Sequence, residues 1–142
     1  MRKKFFAVLM LLTLALTGCG GDDYTTIYTD VNTVEGVTLT MKQDTLKPSR
    51  ATFILTNDSD EDVQFDPVEF HLEKKNRDGV WEENIGTRVS DWKRDTTETI
   101  PAGTSLETKV EWKGLCGTIN NGEYRVILMV NGQPIACEFG SK

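Results

Sequence analysis

The sequence is poor in the residues from which most catalytic and metal sites are built. It has one histidine, His71, and three cysteines in 142 residues. The cysteine spacing fits no zinc motif. No serine or cysteine can be grouped with a base and an orienting acid around the histidine. These absences predict a protein that is not an enzyme and that uses neither a metal ion nor another cofactor.

Long apolar segments and helical periodicity are also scarce. After residue 16 no stretch is apolar enough to span a bilayer, which takes about 20 residues, and no stretch shows a convincing 3.6-residue period. Basic residues are outnumbered, with 16 Lys+Arg against 22 Asp+Glu. An acidic surface argues against nucleic acid as a partner and against direct adhesion to anionic lipid.

The first eighteen residues have the layout of an export signal. Arg2, Lys3 and Lys4 precede an apolar run over 5–16, and small residues close the segment. A positive start, a short apolar stretch and small residues at the end are typical of a secretory signal. The apolar run is too short to cross a bilayer. We therefore predict a signal peptide over residues 1–18.

The segment Leu16-Thr17-Gly18-Cys19 resembles a lipobox, the motif read by the enzymes that modify bacterial lipoproteins. The resemblance implies that the Cys19 thiol receives a diacylglyceryl group and that cleavage frees its amino group. Two acyl chains are enough for stable anchoring. The alternative is an ordinary signal with a chance cysteine. We predict lipidation of Cys19 and a flexible tether over 19–35. The chain would then be anchored in the cell membrane, facing outside the cytoplasm, or in the outer membrane if the cell has one.

From residue 36 onward the apolar pattern has a period of two, which is typical of β-strands. Turn clusters such as Asn57-Asp58-Ser59-Asp60 separate the strands, and Asn131-Gly132 is the strongest hairpin signal. Residues 86–97 are interpreted as an irregular crossing. Seven or eight short strands predict an all-β, antiparallel sandwich over 36–142. The residues expected in its core are Phe53, Leu55, Val110, Val126 and Leu128.

Several of these segments resemble the bacterial immunoglobulin-like domain found in many Gram-positive lipoproteins. They are Val37-Thr38-Leu39-Thr40, Lys47-Pro48, Thr52-Phe53-Ile54-Leu55-Thr56-Asn57, Gly79-Val80-Trp81 and Gly122-Glu123-Tyr124-Arg125-Val126. The resemblance covers about residues 36–139. It implies an immunoglobulin-like sandwich that acts as a noncatalytic binding module, and it names no ligand. We expect a protein or envelope partner.

A looser resemblance links the same chain to the bacterial intracellular proteinase inhibitors, which share this sandwich. It is carried by Leu55-Thr56-Asn57, Gly79-Val80-Trp81, Trp112 and Gly122-Glu123-Tyr124. The export signal excludes an intracellular target. A proteinase inhibitor displayed at the cell surface is therefore the alternative function.

Cys116 and Cys137 form an even pair in a domain that is expected to be exported, which favours a disulfide. If Asn131 and Gly132 are the central turn residues, Val130 faces Gln133 and Cys137 faces Val126. The loop that holds Cys116 feeds the strand of Val126 and can fold back towards Cys137. The alternative is a pair of buried free thiols.

The remaining candidates each have a structural explanation. His71 alternates with Phe70 and Leu72, so we expect a solvated or edge histidine. The turn carboxylates could hold Ca²⁺, but they lack the glycine and the distal glutamate of an EF-hand loop, and we interpret them as a solvated turn; they are Asp58, Asp60, Glu61 and Asp62. Trp81 and Trp112 are expected in the core. Trp92, in the irregular segment, could lie either in the core or on the surface, and it is the best surface candidate for contact with a glycan or peptide.

Overall fold

The computed structural model describes residues 24–83 and 97–142, which form eight strands and one four-residue helix, α1 (Lys113–Cys116). The strands are β1 (Val37–Met41), β2 (Arg50–Asn57), β3 (Val63–Lys75), β4 (Trp81–Glu83), β5 (Glu98–Ile100), β6 (Thr104–Glu111), β7 (Gly122–Val130) and β8 (Gln133–Ser141). Across these residues no helix is long and apolar enough to cross a membrane.

The strands form two antiparallel sheets. One sheet has the order β1-β2-β6, and the other has the order β4-β3-β7-β8, with β5 paired to the first part of β3. The sheets pack face to face, and β1 contacts β8 where their edges meet. The predicted all-β antiparallel sandwich of seven to eight strands is confirmed.

The core lies between the sheets and consists of the residues that the alternation predicts. Phe53 and Leu55 on β2 and Val126 on β7 are completely buried. Val110 and Leu128 are at most 4% exposed. Trp112 is also fully buried, as expected, and its indole Nε1 donates to the Pro48 carbonyl at 2.9 Å.

Strand β3 runs through Pro67, where the sequence pattern predicts a break. The pairing of β3 with β7 shifts between Phe65 and Phe70, so the proline lies in an irregular stretch where its missing N–H is tolerated. Asp66 supports this stretch by accepting hydrogen bonds from the backbone N–H groups of Val68 and Glu69. One strand of 13 residues therefore replaces two shorter ones.

The hairpin between β7 and β8 has the predicted register. Asn131 and Gly132 have φ values of 50° and 72°, which these two residue types adopt readily. Val130 pairs with Gln133, and Val126 pairs with Cys137. Local turn chemistry was therefore sufficient to align nine residues on each side of this hairpin.

Candidate functional site

Residues 24–32, called the strap below, begin along the free edge of β4. Thr25 forms a β-bridge with Glu82. The N–H of Glu83 donates to the Tyr24 carbonyl at 2.8 Å, and the N–H of Thr26 donates to the Trp81 carbonyl at 2.9 Å. The strap thus extends the five-stranded sheet for one short step before it leaves the edge.

The strap then crosses the outer face of that sheet and ends at β8. Arg125 on β7 donates to the Tyr28 carbonyl at 3.0 Å. At the far edge, the Asn32 N–H donates to the Pro134 carbonyl at 3.0 Å, and the Asn32 side chain accepts from the Ala136 N–H at 2.8 Å. From residue 24 the segment is hydrogen-bonded to both edges of the sheet, whereas the sequence predicted a flexible tether over 19–35.

Five charged or titratable side chains on the outer face of this sheet are buried. They are 0–5% exposed, and they come from β3, β4 and β7: Glu69, His71, Glu73, Glu83 and Arg125. They alternate with core residues, so they point away from the core. The expectation that His71 is solvated is wrong, because the strap crosses this face and Tyr28 contacts the imidazole directly.

Glu73 and Arg125 form a buried ion pair next to the strap. The Arg125 Nε lies 2.5 Å from Oε1 of Glu73, and its Nη2 also donates to the Thr26 hydroxyl at 3.2 Å. The Thr26 hydroxyl donates to the second oxygen of Glu73. The charges are therefore both paired and hydrogen-bonded, which is the condition under which an ion pair can be buried.

Trp81 lies next to this pair and is only half buried, which corrects its prediction as a core residue. Its ring lies 4.8 Å from the Arg125 guanidinium and 5.0 Å from the Lys75 ammonium. An indole ring attracts cations to its faces. Trp81 therefore supports the cationic side of the outer face and does not fill the space between the sheets.

His71 is held between two carboxylates and a tyrosine. Its Nδ1 lies 2.5 Å from Glu83, and its Nε2 lies 3.1 Å from Glu69 and 2.9 Å from the Tyr28 hydroxyl. Burial by itself lowers the pKa of His71, but the hydrogen bonds and charges of Glu83 and Glu69 outweigh burial and raise the pKa above its ordinary value of 6.5. The imidazole is thus stabilised in its charged form.

This arrangement fastens the strap to the outer face of the sheet. The hydroxyl of Thr26 bonds both Glu73 and Arg125, and the Tyr28 hydroxyl lies 2.9 Å from the His71 imidazole. Residues 24–83 and 97–142 contain no group of three or more His, Cys, Asp and Glu side chains that could hold a metal ion.

The acidic turn after β2 is organised by Asn57, which is completely buried. The Asn57 amide nitrogen donates to the carbonyls of Glu61 and Ile100, and its oxygen accepts from the N–H and hydroxyl of Ser59. Asp62 accepts from the Ala102 N–H at 3.0 Å. These contacts within the protein hold the turn in its conformation. The conformation of the turn is therefore explained without a bound ion at its exposed carboxylates.

The expected disulfide is not formed, because Cys116 and Cys137 are both free thiols. Cys116 is the last residue of α1, and Trp112 is the residue just before this helix. The helical turn therefore directs the Cys116 thiol to the Trp112 carbonyl, to which it donates at 3.4 Å. The Sγ of Cys137 lies 3.7 Å from the Glu138 carbonyl. Burial raises the pKa of both thiols. Cys19 and Trp92 lie outside the described residues.

The sequence offered one unused signal for the strap. A flexible linker is usually rich in glycine and serine, whereas this segment has tyrosines at positions 24 and 28. Its half-buried residues, Tyr24, Thr26 and Tyr28, alternate with the exposed Thr25 and Ile27. This period of two is typical of an extended segment that lies on a sheet. We instead interpreted residues 24–32 as part of a polar, irregular tether.

The two packed antiparallel sheets, the buried tryptophan and the hairpin connections define an immunoglobulin-like sandwich. The chain belongs to the bacterial Ig-like domain family, because the family model "Bacterial Ig-like domain" matches residues 33–139. The strap precedes the matched region. No curated protein matches the chain.

Solved structures give weaker similarities. The structural genomics target SoR45 shares 13% identity at a TM-score of 0.38, covering 74% of this chain and 82% of that one. The putative ApaA protein from Bordetella pertussis shares 15% identity with this chain at a TM-score of 0.33. The match covers 75% of this chain and 85% of that one. The β-glucosidase from Kluyveromyces marxianus in complex with glucose shares 15% identity with this chain at a TM-score of 0.35. The match covers 84% of this chain but only 14% of that enzyme. TM-scores this low carry no argument about function.

Proposed function

We propose that this protein is a lipoprotein, anchored through Cys19, whose Ig-like domain is a noncatalytic module that binds a protein or envelope partner outside the cytoplasm. The observation that carries the proposal is the family match over 33–139, joined to a lipobox-like segment ending at Cys19. Domains of this family are generally noncatalytic.

The strap brings the proposed anchor close to the sandwich. Only residues 20–23 separate Cys19 from Tyr24, where the strap meets β4. Five residue steps span at most about 18 Å. With the strap in place, the edge of β4 would therefore lie close to the membrane surface.

The outer face of the three-stranded sheet is available for a partner, since the strap covers the outer face of the other sheet. Thr38 and Thr40 on β1 are exposed there, as are Glu107 and Lys109 on β6. Glu107 also pairs with Lys42 at 2.8 Å. A polar surface that carries both charge signs suits a partner that offers complementary hydrogen bonds and charges.

Metabolic labelling with a palmitate analogue tests the anchor. Wild type should take up label, and Cys19→Ser should not, because serine lacks the thiol that accepts the lipid. Cys116→Ser is the matched control and should be labelled like wild type. Equal labelling of Cys19→Ser would rule out the lipoprotein assignment.

Site-specific photo-crosslinking in intact cells tests the binding module. A photoreactive residue at Thr40 should yield a discrete crosslinked product, whereas one at Asn121, an exposed loop position, should not. The absence of any product at Thr40, Thr38 and Lys109 would contradict a partner on this face.

One observation favours the alternative, a cell-surface proteinase inhibitor. Val80 is 40% exposed in the hairpin between β3 and β4. The Asn76 side chain holds this hairpin by accepting from the N–H groups of Asp78 and Val80 at 2.9 Å and 3.0 Å. A rigid loop with an exposed apolar residue is a form that a proteinase cleft accepts. Inhibition of a secreted proteinase that Val80→Asp abolishes would establish this function.

A further inference from the structure

We propose that β6 is the surface through which two copies of this chain associate, edge to edge, as an antiparallel two-fold dimer. Residues 104–111 of one copy pair with the same residues of a second copy, and the two three-stranded sheets join into one sheet of six strands. This inference goes beyond the proposed function, and it depends on the described residues of β6 and its neighbour β2.

Strand β6 is a regular edge strand. Within residues 24–83 and 97–142 it pairs with β2 alone, over eight consecutive residue pairs and without a shift in register. It contains no proline and no bulge, which are two of the features that protect the edges of natural sheets. An edge strand of this length and regularity is a template for a further strand.

The pairing of β6 with β2 determines which backbone groups point to the free edge. The Trp112 N–H donates to the Ser49 carbonyl at 3.0 Å, which makes these two residues a hydrogen-bonded pair of the antiparallel ladder. Hydrogen-bonded and non-hydrogen-bonded pairs alternate along such a ladder. Four residues of β6 therefore direct their N–H and C=O groups away from β2, and their side chains are exposed on the outer face: Ser105, Glu107, Lys109 and Glu111.

In one register the charges of this edge are complementary to those of a second copy. A two-fold axis at Thr108 places Glu107 of each copy opposite Lys109 of the other. The same axis places Ser105 opposite Glu111. These four residues are the ones whose backbone groups point to the free edge, so the backbone hydrogen bonds form in the register that matches the charges. Opposite charges directly across two strands are stabilising.

The neighbouring registers are less favourable. An axis at Glu107 sets the two copies of that carboxylate opposite each other. An axis at Lys109 does the same for the two ammonium groups and also brings Glu107 opposite Glu111. Like charges in these positions are destabilising. An axis at Leu106 or Val110 leaves part of β6 without a strand partner. The alternation of acidic and basic residues along this strand therefore selects the register centred at Thr108.

The ion pairs that these residues make within one copy leave them accessible. Glu107 lies 2.8 Å from Lys42, and Lys109 lies 3.4 Å from Glu111. About half of each of these four side chains is exposed. Exposed pairs of this kind contribute little to stability. Lys109 of a second copy can therefore join the pair of Lys42 and Glu107 from its open side.

The inner side of β6 also has apolar surface that a second copy would cover. Leu106 packs at the margin of the core and is only half buried. In the register centred at Thr108, Leu106 of each copy lies opposite Val110 of the other. The remaining apolar area of Leu106 would then be removed from water, which favours association.

The dimer would also enlarge the surface proposed for the binding partner. The outer faces of the two three-stranded sheets would become continuous across the two-fold axis, so the exposed residues of β1, among them Thr38 and Thr40, would be presented twice. This consequence rests on the proposed function, whereas the dimer itself does not.

Disulfide cross-linking of the full chain in intact cells tests the register. In a background of Cys116→Ser and Cys137→Ala, Thr108→Cys should give a cross-linked dimer on mild oxidation. A residue on the axis forms a non-hydrogen-bonded pair with its own copy, with about 4.5 Å between Cα atoms, which is within the range of a disulfide. Ser105→Cys is the matched control and should remain uncross-linked, because its copy lies about 20 Å away along the strand.

Charge reversal on the Thr108→Cys chain tests the pairing. Glu107→Lys alone and Lys109→Glu alone each place like charges across the interface twice, and each should lower the cross-linked fraction about tenfold. When the two variants carry different tags and are produced in the same cells, they should cross-link to each other as efficiently as the parent chain. Every pair across the interface then has opposite signs, and a variant that had failed to fold would not be rescued by mixing.

Three results would overturn the dimer: no cross-link from Thr108→Cys, an equal cross-link from Ser105→Cys, or no rescue when the two charge variants are mixed. The palmitate labelling of Cys19 and the photo-crosslinking at Thr40 do not involve β6. Failure of the dimer is therefore distinguishable from failure of the proposed function. A photo-crosslinked product at Lys109 that contains only this chain would belong to the dimer.

Discussion

Both faces of the five-stranded sheet contain buried residues, but only the outer face buries charged ones. The inner face presents Leu72, Val126 and Leu128 to the other sheet, and each is at most 2% exposed. The outer face presents Glu73, His71 and Arg125, which are at most 5% exposed. Alternation along a strand shows which residues share a face, but it does not show whether that face is covered.

The two faces also differ in what they contribute to stability. Burial of apolar side chains on the inner face stabilises the fold by roughly 25 cal/mol per Å². On the outer face, the cost of removing charges from water offsets most of what pairing gains. The inner face therefore holds the sheets together, and the polar groups of the outer face bind the strap.

The largest effect is expected from a cavity on the inner side. Phe53→Ala should lower the free energy of unfolding by about 3–5 kcal/mol, since the ring is completely buried. Ile54→Ala is the matched control, because the next residue of β2 faces outward and is only half buried. Urea denaturation measures both, and a larger cost for Ile54→Ala would mean that the faces are assigned wrongly.

A smaller effect is expected from the buried ion pair. Arg125→Met should cost about 3 kcal/mol, because it leaves the Glu73 carboxylate buried without its cation. The double variant Glu73→Leu, Arg125→Met should recover much of that loss, as no charge is then left unpaired. If the double variant is no more stable than Arg125→Met, the two residues are not coupled as the structure indicates.

An exposed ion pair should matter far less than the buried one. Lys42→Ala, which removes the pair with Glu107, should cost less than about 1 kcal/mol, because about half of each side chain is exposed. The remaining effect should shrink further in high salt. A cost equal to that of Arg125→Met would contradict the contrast between the two kinds of pair.

The smallest effect is expected from a reducing agent. Because Cys116 and Cys137 are free thiols, adding a reductant should leave the denaturation midpoint unchanged. A disulfide closing a loop of this size would have contributed roughly 3 kcal/mol. Thiol counting on denatured, unreduced Cys19→Ser protein should find two free thiols per chain, and finding none would show that the bond forms after all.

The predictable parts of the fold are those with local causes. Alternation identified Phe53, Leu55 and Val126 as core residues, and Asn131-Gly132 set the register of the last hairpin. The strand through Pro67 was missed because the irregular pairing that tolerates the proline involves β7, about sixty residues later in the chain. The expected disulfide failed for a similar reason, since the orientation of the Cys116 thiol is decided by α1 and Trp112.

The sequence by itself determined the family and the two-sheet core of this protein, because periodicity, turn chemistry and family pattern all reside in neighbouring residues. Only the tertiary structure decided that residues 24–32 lie across a sheet and that Glu69, His71 and Glu83 meet. The physical reason is that polar residues carry no signal of burial. Whether they are solvated or sealed depends on which distant segment covers them, and here that segment is the strap.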